Sequence, residues 1–309
     1  MICETQSGFW EQHFRSTSKS CIQNSMSTVL RLQKMGVSLA KFLPLKISDK
    51  IAVGLGLLFC YMSKKKRSYI ENNLRHIFFD EKIEPEQLNL QVKKTFMNFA
   101  RAMVDFFRLN FISREVFSAD VKCIGFENAK KALAFKRGCV LITLHLGNWD
   151  YAGAYLAAHD VPMSALVEET EAEMFDLYTQ HREKTGMKTF PVTRAGYAFL
   201  DTIKNNRVLA VLADRDIMKN GIAVDFFSGK RKIPSGLAEI IIKKKLPVLF
   251  GYMVLNPYHN AYRYLGNIEP PLVFEGTVHE FNRLLVKKYE KFIRTYPDQW
   301  FVFHPEWIE

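Results

Sequence analysis

Cysteine is scarce in this chain of 309 residues: there are five, with no C-x-x-C spacing among them. So sparse a set excludes a small disulfide-stabilised scaffold and predicts reduced thiols of the cytosolic kind. A long hydrophobic run is also missing, because no uncharged segment approaches the roughly 20 apolar residues that a membrane-spanning helix needs. Apolar residues nevertheless make up 48% of the chain. That content excludes a disordered protein and favours one large α/β domain, alone or with an appendage.

Acidic residues are fewer than basic residues in this chain. The chain has 43 Lys and Arg against 32 Asp and Glu, a formal net charge of +11. This excess predicts an anionic partner such as phospholipid headgroups or a phosphorylated ligand. No nucleic-acid partner is predicted, because the chain has no recognition module and no zinc-ligand set. Two basic runs, Lys230–Lys232 and Lys243–Lys245, are open to two interpretations, contact with an anionic ligand or a solvated surface.

Residues 51–62 form an uncharged apolar stretch of twelve, followed by the cationic cluster Lys64–Arg67. A stretch of that length is typical of an interfacial or buried helix rather than a span. An apolar segment beside positive charge suits a peripheral or monotopic anchor on an anionic cytoplasmic leaflet. We therefore predict a helical membrane-associating region over residues 28–115. The alternative is a core helix with a solvated charged end. The polar residues 1–27 are expected to be a loosely ordered extension without a secretory signal.

A helical period runs through residues 84–109, where apolar side chains recur every three or four positions. From residue 126 onward, predicted helices alternate with predicted strands. That alternation favours an α/β fold with a central, mostly parallel sheet covered by helices, which we assign to residues 116–309. The predicted strands are 139–144, 163–167, 207–213, 247–255 and 261–268, and the predicted helices are 126–136, 148–158, 171–185, 195–204, 234–245 and 278–295.

His145 stands just past the carboxyl end of a predicted buried strand, where ligands bind in parallel α/β sheets. Gly147 permits a tight turn, Asn148 is placed to cap the next helix, and Asp150 falls in its first turn. The five-residue separation would let Asp150 fold back onto His145. A carboxylate on one imidazole nitrogen fixes the tautomer and leaves the other nitrogen free to take a proton. The pair would then serve as a general base toward an external hydroxyl; the alternative is a structural histidine at a strand end.

The segment from His145 to Asp150 resembles the H-x4-D/E motif of the lysophospholipid acyltransferase superfamily. The wider chain, from about residue 38 to 307, is similar in the order of its blocks to the lipid A biosynthesis (lauroyl/myristoyl) acyltransferase family. The matching blocks are Lys64–Phe79, Ala213–Asp216, Phe226–Gly229, Pro234–Gly236, Ile268–Pro271 and Pro297–His304.

This resemblance implies O-acyl transfer at the cytoplasmic face of a cell inner membrane. His145 would deprotonate a hydroxyl of a lipid A precursor or similar anionic glycolipid, and Asp150 would orient His145. The alkoxide would attack an acyl thioester, carried by acyl carrier protein or by coenzyme A, with no metal, no other cofactor and no covalent intermediate. The predicted substrate-binding residues are Asn148, Arg182, Arg194, Asp214 and Asp216. Arg182 and Arg194 are assigned to phosphate or oxyanion contact, and the two aspartates have no assigned step.

Two departures from the family pattern bear on this prediction. Asp150 stands where the family often has Glu, so its carboxylate reaches one methylene less far. The usual closing H-R-R-W is His304-Pro305-Glu306-Trp307 here, and two cations are lost. Three alternatives stay open: acylation of another membrane glycolipid or a lysophospholipid, a non-catalytic lipid-binding protein of the same fold, and a phosphatase that binds metal through Asp214 and Asp216.

Overall fold

The computed structural model describes residues 36, 38, 42–169, 172–258 and 261–308. The predicted extension at 1–27 lies outside these residues. The helices are α1 (Leu45–Met62), α2 (Lys64–Ile77), α3 (Pro85–Arg108), α4 (Arg114–Asp120), α5 (Glu127–Leu133), α6 (Trp149–Ala158), α7 (Ala172–Glu183), α8 (Ala195–Lys204), α9 (Gly236–Lys244) and α10 (Val278–Thr295). The strands are β1 (Val121–Ile124), β2 (Cys139–Thr143), β3 (Met163–Val167), β4 (Lys188–Pro191), β5 (Val208–Leu212), β6 (Ile222–Phe226), β7 (Gly229–Ile233), β8 (Pro247–Leu255), β9 (Tyr264–Ile268), β10 (Leu272–Val273) and β11 (Trp307–Ile308).

The central sheet has the strand order β1-β9-β8-β2-β5-β3-β4, with β10 paired to β8. Strands β8, β2, β5, β3 and β4 run parallel, and β9 turns back antiparallel against β8. Every residue of β2 is buried, as expected of a strand covered by helices on both faces. The predicted α/β fold with a mostly parallel central sheet is therefore confirmed.

A second, smaller sheet was not predicted. It has the order β11-β7-β6, so the end of the chain pairs with a hairpin that follows β5. Trp307 of β11 lies opposite Arg231 of β7. Because side chains alternate across a strand, Arg231 points inward and is buried, whereas Lys230 and Lys232 on either side of it are exposed. The basic run 230–232 is thus a surface feature in two of its three residues only.

Helix α1 packs against α3 through its small residues. Ser48, Ala52, Gly56 and Cys60 are buried, and they recur every four positions along one face of α1. A Cβ added at Gly56 would lie 2.7 Å from the carbonyl oxygen of Phe96 in α3, so glycine permits the close approach of the two helices. Several large apolar side chains of α1, among them Leu55 and Leu58, are left exposed away from this contact.

Within the described part of the chain, every helix is too short or too polar to cross a membrane. The core lies on both faces of the central sheet. One cluster joins α2, α3, α9 and α10 to the sheet, and the other joins α4, α5 and α6 to it. The helical N-terminal part and the α/β part therefore share a core, which fixes α3 against the sheet beside the end of β2.

Candidate active site

His145 and Asp214 form a hydrogen-bonded pair at the carboxyl edge of the central sheet. His145 follows β2 and Asp214 follows β5, and the register of these parallel strands pairs Thr143 with Leu212. Two residues further on, the register brings His145 opposite Asp214. The Nδ1 atom of His145 lies 2.7 Å from Oδ1 of Asp214, and the backbone N–H of His145 donates to Oδ2 at 3.0 Å. Backbone and side chain together thus fix the imidazole against the carboxylate.

Asp214 is buried, and all its neighbours favour its ionised form. The indole Nε1–H of Trp300 donates to Oδ2 at 2.9 Å. Burial by itself raises the pKa of the Asp214 carboxyl, but His145, Trp300 and the Arg231 guanidinium outweigh that effect and hold the pKa below its ordinary value. An ionised carboxylate can only accept, so Nδ1 of His145 carries the proton. In the neutral imidazole the lone pair is then on Nε2, to which the described residues supply no hydrogen bond.

The turn after His145 depends on a glycine. Gly147 has a φ of 67°, and a Cβ there would lie 2.1 Å from the carbonyl oxygen of Met253. Only glycine fits this conformation and this approach to β8. The turn ends at Asn148, whose side chain accepts from the backbone N–H of Tyr151 at 2.9 Å and caps α6, as predicted.

A cavity of about 550 Å³ opens beside the pair and has a predominantly apolar lining. This is a volume typical of small-molecule sites. The exposure of Ala210 reflects this cavity. Ala210 lies in β5 between two neighbouring strands, yet it is partly exposed because it faces the cavity. Apolar side chains from β2, β3, β5, β8 and α6 form most of the wall, among them Leu141, Met163, Ala210, Met253 and Leu156. The site therefore combines an ionisable pair with a cavity of mostly apolar lining.

Comparison with known proteins identifies the family. The sequence profile described as bacterial lipid A biosynthesis acyltransferase matches residues 26–309. The chain belongs to this acyltransferase family. A phosphatidylinositol mannoside acyltransferase of Mycolicibacterium smegmatis is 27% identical over 226 residues, which cover 70% of this chain and 72% of the relative. A protein of the same name from Mycobacterium tuberculosis is 27% identical over 193 residues, covering 60% of this chain and 59% of the relative.

A lipid A biosynthesis acyltransferase of Haemophilus influenzae is 23% identical over 266 residues, covering 85% of this chain and 82% of the relative. The predicted family and the predicted enzyme class, acyltransferase, are thereby confirmed.

In this acyltransferase the predicted pairing of His145 with Asp150 is wrong. The carboxylate of Asp150 binds Arg182 instead, accepting from Nε at 2.6 Å and from Nη2 at 3.2 Å. Asp150 lies on α6 and Arg182 on the last turn of α7. The bidentate pair therefore ties these helices together at the cavity wall, which both residues line. The predicted contact of Arg182 with phosphate or oxyanion stays a prediction.

The predicted substrate-binding residues Asn148, Arg194 and Asp216 lie in three different environments. Asn148 is buried, and its amide also donates to Tyr264 and to the carbonyl oxygen of Ala102, so it stabilises the turn and has no free surface for a substrate. Arg194 is exposed on the surface, and it is not one of the cavity-lining residues. Asp216 does line the cavity.

Asp214 and Asp216 have separate partners. The Oδ1 atom of Asp216 accepts from the backbone N–H groups of Asn220 and Gly221, at 3.2 and 2.9 Å. It closes a turn ahead of β6, whereas Asp214 binds His145 and Trp300. The D-x-D segment thus supplies one carboxylate to the histidine and one to the backbone.

The departure at the end of the chain also has a structural explanation. Glu306, where the family commonly has a cation, binds Nε of Arg215 at 2.9 Å and lies 3.9 Å from Arg231. The two cations of the H-R-R-W block are missing, but Arg215 and Arg231, which come from two other segments, place positive charge behind the His145–Asp214 pair. Sequence reasoning missed Arg231 and Trp300 as part of the site, because neither lies near His145 in the chain.

Proposed function

We propose that this protein transfers a fatty acyl chain from an acyl thioester to a hydroxyl of an anionic membrane glycolipid, with His145 as the general base. The single observation that carries the proposal is the His145–Asp214 pair, at 2.7 Å, set beside an apolar cavity. A base of this type contributes about 10²–10⁴-fold to a rate. Asp214 is the positioning residue for His145.

The proposed reaction balances without further reactants. Nε2 of His145 takes the proton of the acceptor hydroxyl while its oxygen attacks the thioester carbonyl carbon. The C–O bond forms, and the carbonyl electrons move to an oxyanion. The oxyanion collapses, the C–S bond breaks, and the thiolate leaves with the proton held by His145. The products are the acylated glycolipid and a free thiol, and Asp214 stabilises the transient imidazolium without being protonated.

The cavity is proposed to hold the acyl chain of the donor. Its apolar wall removes methylene groups from water, which is favourable by about 0.8 kcal/mol per buried methylene group. Arg182 and Arg215 are among its few charged lining residues, and we assign them to the polar end of the substrates. Acyl carrier protein and coenzyme A are both kept as donors, because each carries its acyl group as a thioester on a phosphopantetheine arm.

The outer face of α1 is proposed to bind the cytoplasmic surface of an anionic inner membrane. Ile51, Leu55, Leu58 and Met62 are large and apolar, yet they are 46%, 57%, 52% and 71% exposed. The buried positions of the helix are small residues, which reverses the usual arrangement of an amphipathic helix along most of its length. Lys64–Arg67 begins α2 directly beyond this face and supplies charge for anionic headgroups. A contiguous exposed apolar face of this kind marks an interaction surface.

The acceptor class is inferred from the relatives. Those at 27% identity are named for a phosphatidylinositol mannoside and the one at 23% for lipid A. Both names describe sugar-containing lipids with phosphate. We therefore propose a phosphorylated glycolipid as acceptor, in keeping with the net charge of +11.

The test is transfer of a labelled acyl group to phosphorylated glycolipids in membranes, with acyl carrier protein and coenzyme A thioesters supplied in separate arms. We expect transfer by the wild type and a loss of at least about 100-fold in His145→Ala. His279→Ala is the matched control, because His279 is exposed at the start of α10 and hydrogen-bonds to Arg283 at the surface. Full activity in His145→Ala would contradict the proposed base, and binding of glycolipid without any transfer would favour a lipid-binding protein.

A further inference from the structure

Arg231 is a buried cation behind the catalytic pair. It is 1% exposed, and its guanidinium carbon lies 4.7 Å from the ring centre of Trp300, 5.3 Å from that of Trp307 and 5.5 Å from that of Phe226. Three aromatic rings thus surround it, at distances typical of cation–π contacts. We call these three rings the aromatic cage.

The hydrogen bonds of Arg231 are incomplete. Its Nη2 donates to the backbone carbonyl of Asp214 at 3.1 Å, but Nε and Nη1 have no partner among the described residues. The nearest carboxylate oxygen of Glu306 is 3.9 Å away, beyond hydrogen-bond distance. Burial lowers the pKa of Arg231 to about 10, so the side chain is still charged at neutral pH. A buried charge with unpaired N–H groups costs stability, and an apolar residue of similar shape would cost less.

The cage connects this charge to the active site. Trp300 presents its ring face to Arg231 and donates its Nε1–H to Asp214 at 2.9 Å. Asp214 thus contacts Arg231 through its own backbone and through Trp300, and it contacts His145 through both carboxylate oxygens. Arg231 is fixed relative to Asp214 by contacts on two sides.

We propose that Arg231 is a positioning residue for acyl transfer: held in its aromatic cage, it fixes Trp300 and the backbone of Asp214, and so keeps the Asp214 carboxylate aligned with His145. The inference rests on the proposed function and deepens it. Other charged or titratable groups near the pair are Tyr289 of α10, Arg215 after β5, and Glu306, together with the Asp150–Arg182 pair across the cavity. Among these, Arg231 is the cation that hydrogen-bonds to Asp214.

The test compares Arg231→Met, Arg231→Lys and His145→Ala in the acyl transfer assay, with kcat and KM measured separately. Arg231→Met fills the cage without charge. We expect its kcat to fall about 10–100-fold with little change in KM, because misalignment of Asp214 affects the base and not substrate binding. Its unfolding temperature should be equal to or above that of the wild type. Arg231→Lys keeps the charge, so it should recover most of the lost kcat.

Arg294→Met is the matched control, since Arg294 also stacks on two rings, Phe79 and Phe227, but binds Asp80 at the surface. A wild-type kcat, or a loss that lies in KM alone, in a folded Arg231→Met would overturn the inference. If Arg231→Met does not fold, Arg231→Lys decides: a kcat near that of the wild type supports the role of the charge, and a folded Arg231→Lys with kcat lowered about 10-fold or more overturns it. Activity retained by His145→Ala would instead remove the proposed function itself.

Discussion

Asp214 receives two hydrogen bonds from His145, one from the imidazole Nδ1 at 2.7 Å and one from the backbone N–H at 3.0 Å. The two residues are 69 positions apart in the chain, and the β2–β5 register sets them side by side. Because the backbone of His145 is held by the same carboxylate as its ring, a change at residue 214 is expected to alter both the position and the tautomer of the imidazole.

Asp214→Asn is therefore expected to lower kcat by about 10³–10⁴-fold, as a neutral partner stabilises the wrong imidazole tautomer. Single-turnover acyl transfer measures this directly. Asp150→Asn is the contrasting variant, because its carboxylate binds Arg182 and leaves the His145–Asp214 pair intact. We expect its loss in kcat to be at least tenfold smaller. An Asp150→Asn defect as large as that of Asp214→Asn would contradict this division of roles.

The fold could be predicted from sequence to a large extent, but the site only in part. Hydrophobic runs and helical periods gave β3, β8, α8 and α10 with the bounds the structure has, since these elements are long or flanked by clear turn residues. The place of His145 at a strand end beside a cavity could be predicted, because ligands bind at the carboxyl ends of strands in a parallel sheet. Its partner could not, because strand order decides which strand ends are neighbours, and local spacing pointed to Asp150.

Arg231 shows a different limit. The run 230–232 consists of three cations, which is typical of a solvated surface. Only the pairing of β7 with β6 and β11 shows that this run is a strand. Side chains alternate along a strand, and Arg231, the middle residue, therefore points inward. The signal that could have found it is the terminal block, where Pro305 and Glu306 replace two cations of the family pattern.

The stability of the enzyme is expected to depend on pH through Asp49. The guanidinium of Arg263 donates to both oxygens of Asp49, at 2.8 and 2.7 Å, and to Asp105 at 2.8 Å, and so ties α1 to α3 and to the sheet. Burial raises the pKa of the Asp49 carboxyl, but Arg263 and Arg101 outweigh burial and leave the pKa below its ordinary value. A carboxyl with a lowered folded pKa contributes stability above its unfolded pKa, and that contribution is lost as pH falls through the folded value.

We accordingly expect Asp49→Asn to reduce the free energy of unfolding by about 1–3 kcal/mol at pH 7. The difference from the wild type should shrink as the pH is lowered below the unfolded pKa of about 3.9. Urea unfolding at a series of pH values measures both. Asp160→Asn is the control, because Asp160 also pairs with an arginine, Arg114, but is 77% exposed and should change stability little. If the difference in the free energy of unfolding between Asp49→Asn and the wild type stayed constant with pH, the pH dependence could not be assigned to Asp49.

Membrane binding is expected to depend on the exposed face of α1. The double variant Leu55→Lys with Leu58→Lys should lower partitioning onto vesicles of anionic phospholipid by at least tenfold, because each leucine gains about 1.5–3 kcal/mol when fully buried. Both side chains are more than half exposed, so the fold should tolerate the change. Tyr258→Lys, at an exposed position of 73% after β8, is the control. Undiminished vesicle binding by the double variant would assign membrane contact to another surface.

Chain-length selection is expected to depend on the cavity. Ala210 faces it from the middle of the sheet, so Ala210→Leu adds three carbons to the wall without entering the packed core. The variant should prefer shorter acyl donors, with the ratio of kcat/KM for a ten-carbon over a sixteen-carbon thioester raised about tenfold. Ala223→Leu makes the same change at an exposed position of β6 and should leave the ratio unaltered. Acyl thioesters of graded length, assayed with one acceptor, supply the measurement. If Ala210→Leu slowed all donors equally, the cavity would be narrowed for the acceptor rather than for the acyl chain, and its assignment to the donor would be wrong.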